Sequence, residues 1–200
     1  ADIYIYTEDD MEFTLENYEY WHEYKDILDN RGLEPGFLRF EEYDSLKIPF
    51  DNHFELPVGG IYPCMWGDVH HECKFIPYFG TGFLREIVGF IQMPNPYKGM
   101  MILDQKQARK YMTSRSAHPI YSHRIIGHRN WPIADRSSMG TTFENVPRER
   151  SHRAVVPVVM DNGNLRPASC ALVRHQDQKY TKALLDKQEK LITVEHMLTV

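Results

Sequence analysis

RAVVPVVMDNGNLRPASCALVR, residues 153 to 174, places two runs rich in Val, Leu and Ala on either side of Asp161-Asn162-Gly163-Asn164. Asn-Gly between such runs signals a two-residue hairpin turn, because both central residues of that turn take a positive φ that Asn and Gly accept most readily. A β-hairpin is predicted, with one strand from Arg153 to Met160 and its partner from Leu165 to Arg174. Pro157 and Pro167 lack an amide donor, so each is expected at an edge or beside a bulge.

Toward the C-terminus a helix is predicted from about Asp177, with Tyr180, Leu184, Leu191 and Leu198 on one stripe. Toward the N-terminus, residues 114 to 153 are rich in Ser, Gly, Pro, Arg and His without apolar periodicity, which predicts a long Arg/His-rich loop region. Before it, Asp104 is placed to cap a short basic helix over Gln105 to Thr113. From Gly36 to Met101, short β-branched and aromatic runs are cut by prolines. Strands are expected at Phe37 to Phe40, Val69 to Ile76, Phe83 to Gln92 and Met100 to Leu103.

The chain opens on Ile-Tyr alternation at Asp2 to Tyr6, a short strand, and Thr7 with Asp10 resembles a helix-opening capping box. Met11, Leu15, Tyr18, His22, Lys25 and Leu28 then recur at three and four, predicting the buried face of an acidic helix that ends near Gly32. These elements together predict an α+β fold. It is a mixed or antiparallel sheet with an N-terminal acidic helix, a C-terminal helix and a late hairpin, in one domain over residues 1 to 200.

With 200 residues, 42% of them hydrophobic, the chain can bury a sizeable core. No apolar run approaches the roughly 18 to 20 residues that cross a bilayer, and the opening residues lack the pattern of a secretory leader. A cytoplasmic protein, or one incorporated in an intracellularly assembled complex without membrane, is expected. Three cysteines, Cys64, Cys73 and Cys170, predict free thiols and no disulfide scaffold.

Charge is sorted along the chain. Residues 1 to 44 hold fourteen acids and three bases, whereas residues 105 to 153 hold ten bases and three acids. The net charge of −5 therefore conceals two opposed surfaces or an internally neutralised pair.

The densest chemical cluster is Asp68-Val69-His70-His71-Glu72-Cys73-Lys74, preceded by Asp51, His53 and Glu55. On a strand, His70, Glu72 and Lys74 share a face. Two acids can hold Mg²⁺ while a lysine activates water at a phosphate. Pro49-Phe50-Asp51 followed by Glu72-Cys73-Lys74 resembles the PD-(D/E)XK nuclease pattern, with Phe50 splitting the Pro-Asp pair. That resemblance implies Asp51 and Glu72 as Mg²⁺ ligands and Lys74 as the group acting on water or phosphate. His53, His70 and Cys73 are also a chemically sensible zinc set, although adjacent His70 and His71 would point to opposite faces of a strand.

Arg124, Arg129, Trp131, Arg136, Arg148, Arg150 and Arg153 combine guanidinium groups with an aromatic ring, a mixture that suits phosphates and stacked bases. Arginines also form forked bonds with carboxylates, so the same residues can meet the acidic helix of this chain or of a neighbour. That pairing accounts for both charged halves. The expected function is a non-catalytic assembly or interaction subunit of a larger complex such as a virus particle, forming homo- or hetero-oligomers through opposite-charge surfaces. The alternatives are a Mg²⁺-dependent nuclease using Asp51, Glu72 and Lys74, and a nucleic-acid binder without catalysis.

Overall fold

A computed structural model describes residues 2–49, 75–77, 86–92, 100–121, 133–146, 152–186 and 194. Their strands are β1 (Ile3–Thr7), β2 (Met11–Glu12), β3 (Glu34–Pro35), β4 (Leu38–Tyr43), β5 (Leu46–Pro49), β6 (Phe75–Pro77), β7 (Ile87–Ile91), β8 (Met100–Asp104), β9 (Ala154–Asp161), β10 (Asn164–Pro167) and β11 (Leu172–His175). The helices are α1 (Leu15–Asp29), α2 (Gln105–Thr113), α3 (Ile133–Phe143) and α4 (Lys179–Asp186). The fold is α+β with mixed and antiparallel sheets. The chain divides into two compact units. One is Ala1–Asp9 with Pro96–Arg153, and the other is Asp10–Asn95 with Ala154–Val200.

In the second unit the Asn-Gly hairpin forms as expected. β9 and β10 pair antiparallel, and Asn162 and Gly163 take φ of 49° and 82°. β9 is an interior strand that also pairs antiparallel with β7 and, at Ala154 and Val155, parallel with β3. Pro157 is tolerated there because it faces Phe90 just beyond a register shift between Ile87 and Gly89, and Pro167 closes the edge strand β10. The second hairpin strand is shorter than predicted. After Pro167 a 3₁₀ turn, Ser169–Ala171, redirects the chain into β11, which belongs to a different sheet of order β2-β11-β4-β5. In that sheet β11 and β4 run parallel, and β4 turns into β5 through Asp44 and Ser45, both at positive φ.

α1 covers this unit with a face other than the one expected. Its cap is Thr14, whose hydroxyl accepts from Asn17 N–H at 3.3 Å while Asn17 Oδ1 accepts from Thr14 N–H at 2.8 Å. Starting at Leu15 turns Asn17, Tyr20, Trp21, Tyr24 and Leu28 inward and leaves Leu15 70% exposed. The aromatic face was hidden in the periodicity because Tyr and Trp carry polar handles. Tyr20 Oη donates to Val155 O at 3.2 Å, and Asn17 Nδ2 on the same face donates to Cys170 O and Leu172 O at 2.8 and 3.0 Å. Phe37 meets the Tyr20 ring edge-on at 5.5 Å, and Phe90 meets Tyr24 at 5.4 Å.

In the first unit β1 and β8 form an antiparallel pair in which Ile5 faces Ile102. Asp104 caps α2 as predicted, accepting from Gln107 N–H at 2.7 Å. The span read as loop, 114 to 153, contains α3. Its buried residues Ser138, Met139, Gly140 and Thr142 are mostly small or polar, so no apolar stripe announced it. Smallness has a packing reason at Gly140, where a Cβ would come within 2.9 Å of Ser116 Cα.

Gly140→Ala is therefore expected to destabilise the first unit by about 1–3 kcal/mol through overpacking, although alanine in a helix ordinarily gains about 1 kcal/mol over glycine. Urea denaturation of both proteins measures the difference. An unchanged or raised midpoint would show that the helix has room.

Candidate functional site

The sequence-derived nuclease set, Asp51, Glu72 and Lys74, and the zinc set, His53, His70 and Cys73, lie outside the described residues. So do Arg124, Arg129, Trp131, Arg148 and Arg150. Arg136 lies on α3, and Arg153 donates its backbone N–H to Thr142 O at 2.9 Å beside the end of that helix.

An ionisable cluster that the sequence does not announce lies around His175. On β11, His175 is buried, with Nε2 2.9 Å from Asp10 Oδ2 and Nδ1 3.0 Å from Glu41 Oε1. Nδ1 also lies 2.6 Å from the Asp177 carbonyl. β-sheet register explains the convergence. Val173 pairs with Arg39, so two residues further on His175 stands beside Glu41 on the same face, and pairing of His175 with Met11 brings Asp10 to the other side of the ring. The second Glu41 oxygen accepts from Thr181 N–H at 2.6 Å. Thr181 is the third residue of α4, so this carboxylate caps the helix from a distant strand.

This geometry limits the chemistry. A nucleophile–histidine–acid triad needs one ring nitrogen on the nucleophile and the other on the acid. His175 faces a carboxylate from each nitrogen. The two acids lie on opposite sides of the ring and cannot share one ion with it. Among the described residues no group of three His, Cys, Asp or Glu is placed to hold a metal. The cluster is built to join β2, β4, β11 and α4.

Charged surfaces are the other candidate. Along α1, Glu16, Glu19 and Asp26 are exposed, and Glu23 is half-buried on the same spacing. Glu16 accepts from Ser169 Oγ at 2.7 Å, and Lys25 approaches Asp26 at 2.8 Å. On α2 and the turn after it, Lys106, Arg109, Lys110 and Arg115 are exposed. Leu15 on α1 and Met112 on α2 are exposed among these charges.

Two further groups have environments that shift their titration. Burial pushes the Cys170 thiol up to about 12, reinforced by the nearby Glu16 charge, which disfavours the thiolate. Burial pushes Glu144 upward, but hydrogen bonds from the Ser116 hydroxyl and from the N–H groups of Arg115 and Ser116 outweigh it and hold this carboxyl below its ordinary value of 4.5. No protein-family model, curated protein or solved structure matches the chain.

Because Glu144 is depressed in the folded state, its contribution to stability is present above the ordinary carboxylate value and is lost as pH falls through the folded one. Urea midpoints of the first unit should fall as pH drops below about 4.5. In Glu144→Gln part of that slope disappears. A variant that reproduces the parent's pH profile would remove Glu144 as its source.

Proposed function

We propose that the chain is a non-catalytic assembly or interaction subunit that meets copies of itself or other chains through opposite-charge surfaces, the acidic α1 and the basic segment that begins at α2. The observation that carries this reading is the exposure of Glu16, Glu19 and Asp26 on one helix and of Lys106, Arg109 and Lys110 on another, with Arg115 exposed in the turn after it. Charges left in water cost little by themselves and gain their value on meeting a complementary surface, where they steer encounter and set register. The enclosed arrangement at His175 also favours it, since each of its ring nitrogens faces a carboxylate.

No helix among the described residues is long and apolar enough to cross a membrane. An oligomer of this chain is the first expectation, because the two opposite charges are carried on the same chain. Assembly in a larger particle would repeat the same acidic-to-basic contact between neighbours, in the head-to-tail manner that builds rings and open arrays.

Sedimentation velocity at about 50 mM and about 0.5 M salt tests the reading, because the higher concentration shortens the screening length to a few ångströms. Self-association is expected at low salt and should weaken by about tenfold or more at high salt. The triple change Glu16→Lys, Glu19→Lys and Asp26→Lys should abolish it. Mixing that variant with one carrying Lys106→Glu, Arg109→Glu and Lys110→Glu should restore association between the two. A chain that stays monomeric at low salt, or reversals without effect, would remove the proposal. Salt-sensitive binding of an oligonucleotide by such a monomer would instead favour a nucleic-acid binder.

A further inference from the structure

We propose that β1 is a pairing edge for a second copy of this chain, two β1 strands lying antiparallel across a two-fold axis at Tyr4 and joining two β1–β8 ribbons into one four-stranded sheet. The pairing is short and forms among copies that α1 and α2 have brought together, so it deepens the proposed assembly and rests on it.

The first observation is how little covers β1. Among the described residues its strand partner is β8, in a sheet of two. Register places Met100 and Ile102 of β8 on the face shared with Ile5 and Thr7, and both are buried, while Tyr4, Ile5 and Tyr6 stay 46, 49 and 41% exposed. A strand with one neighbour presents a row of backbone donors and acceptors on its other side, and proteins blunt such an edge with a charge, a proline or a bulge. Ile3–Thr7 holds none of these. A two-stranded ribbon is also marginal by itself, and further strands add to its stability.

Charge selects the occupant and its register. Acids stand at both ends of the strand, Asp2 before it and Glu8 and Asp9 after it. If Ile5 faced its own copy, Asp2 of each chain would stand opposite Glu8 of the other, and like charges directly opposite are destabilising. With Tyr4 facing its own copy, Ile3 stands opposite Ile5 and Asp2 opposite the Tyr6 phenol, and Glu8 and Asp9 pass beyond Asp2 of the other strand.

That end of the ribbon is basic. Ile3 pairs with Asp104, and α2 starts at the next residue with Lys106 and Arg109 exposed along it. The same helix packs against β1. The two-fold therefore brings the acidic end of each β1 to the basic helix of the other copy, and symmetry makes the contact twice.

Disulfide trapping tests the register. At about 50 mM salt with oxidised glutathione, Tyr4→Cys should give a disulfide joining position 4 of two copies, because directly opposite residues of an antiparallel pair hold their Cα atoms about 4.5–5.5 Å apart, within reach of the bond. Ile5→Cys should couple about tenfold less, since two copies of position 5 are diagonal neighbours about 7–8 Å apart. Peptide mapping separates these bonds from any formed by Cys64, Cys73 or Cys170. In the unsubstituted chain, hydrogen exchange of the peptide carrying β1, corrected for intrinsic rates, should slow by about tenfold on passing from about 0.5 M to about 50 mM salt. An oligomer in which position 4 couples no better than position 5, or in which β1 exchanges alike at both salt concentrations, would overturn the β1 pairing and leave the charged contact standing. Slowed exchange without the position-4 bond would give the edge to another segment and equally overturn it. A chain that stays monomeric at low salt would remove both.

Discussion

Asn17 uses both ends of its side-chain amide at once, and the second unit is organised around that demand. Its oxygen accepts from the Thr14 backbone and hydroxyl, which fixes where α1 begins, while its nitrogen donates to Cys170 O and Leu172 O, which fixes where the 3₁₀ turn ends and β11 starts. A buried amide left half-satisfied would cost about 1–3 kcal/mol, so helix phase and strand position are set together. Phase then decides which residues of α1 face inward. With Asn17 inside, Tyr20, Trp21, Tyr24 and Leu28 follow it at three- and four-residue steps, and the acids fall on the outer side.

Much of this was legible in the chain where local chemistry is decisive. Asn162-Gly163 fixes a turn by its backbone preference alone, and Asp104 with Gln107 is a cap visible within four residues. Gly32 at a φ of 68° ends the first helical region as its position suggests. Signals weakened when a residue's role depended on distant partners. Thr14-Leu15-Glu16-Asn17 escaped notice because the usual box ends in Glu or Gln, and Asn17 fits only because carbonyls 153 and 155 residues away receive its nitrogen. The Asp44-Ser45 turn lacks glycine, and α3 buries serine, threonine and glycine in place of an apolar stripe.

The ionic cluster was illegible for a related reason. Asp10, Glu41 and His175 are brought together only by the pairing of β11 with β2 on one side and β4 on the other, so no spacing in sequence hints at them. Charge sorting, in contrast, is a property of counts and survives folding as exposed acids on α1 and exposed bases on α2. The candidate residues at 51–74 and 124–153 stand out by chemical variety along the sequence, whereas the grouping at His175 comes from convergence in space.

β9 finds its neighbours in β3, β7 and β10, from three separate stretches of the chain. A polypeptide leaving the ribosome has therefore made everything belonging to the first unit, which ends at Arg153, before the central strand of the second exists. The residues from Asp10 to Asn95 must wait through the synthesis of some sixty others for the segment that closes their sheet, with β3 and β7 short of a partner meanwhile. Completion in birth order thus runs opposite to the order in which most of the second unit's residues are made.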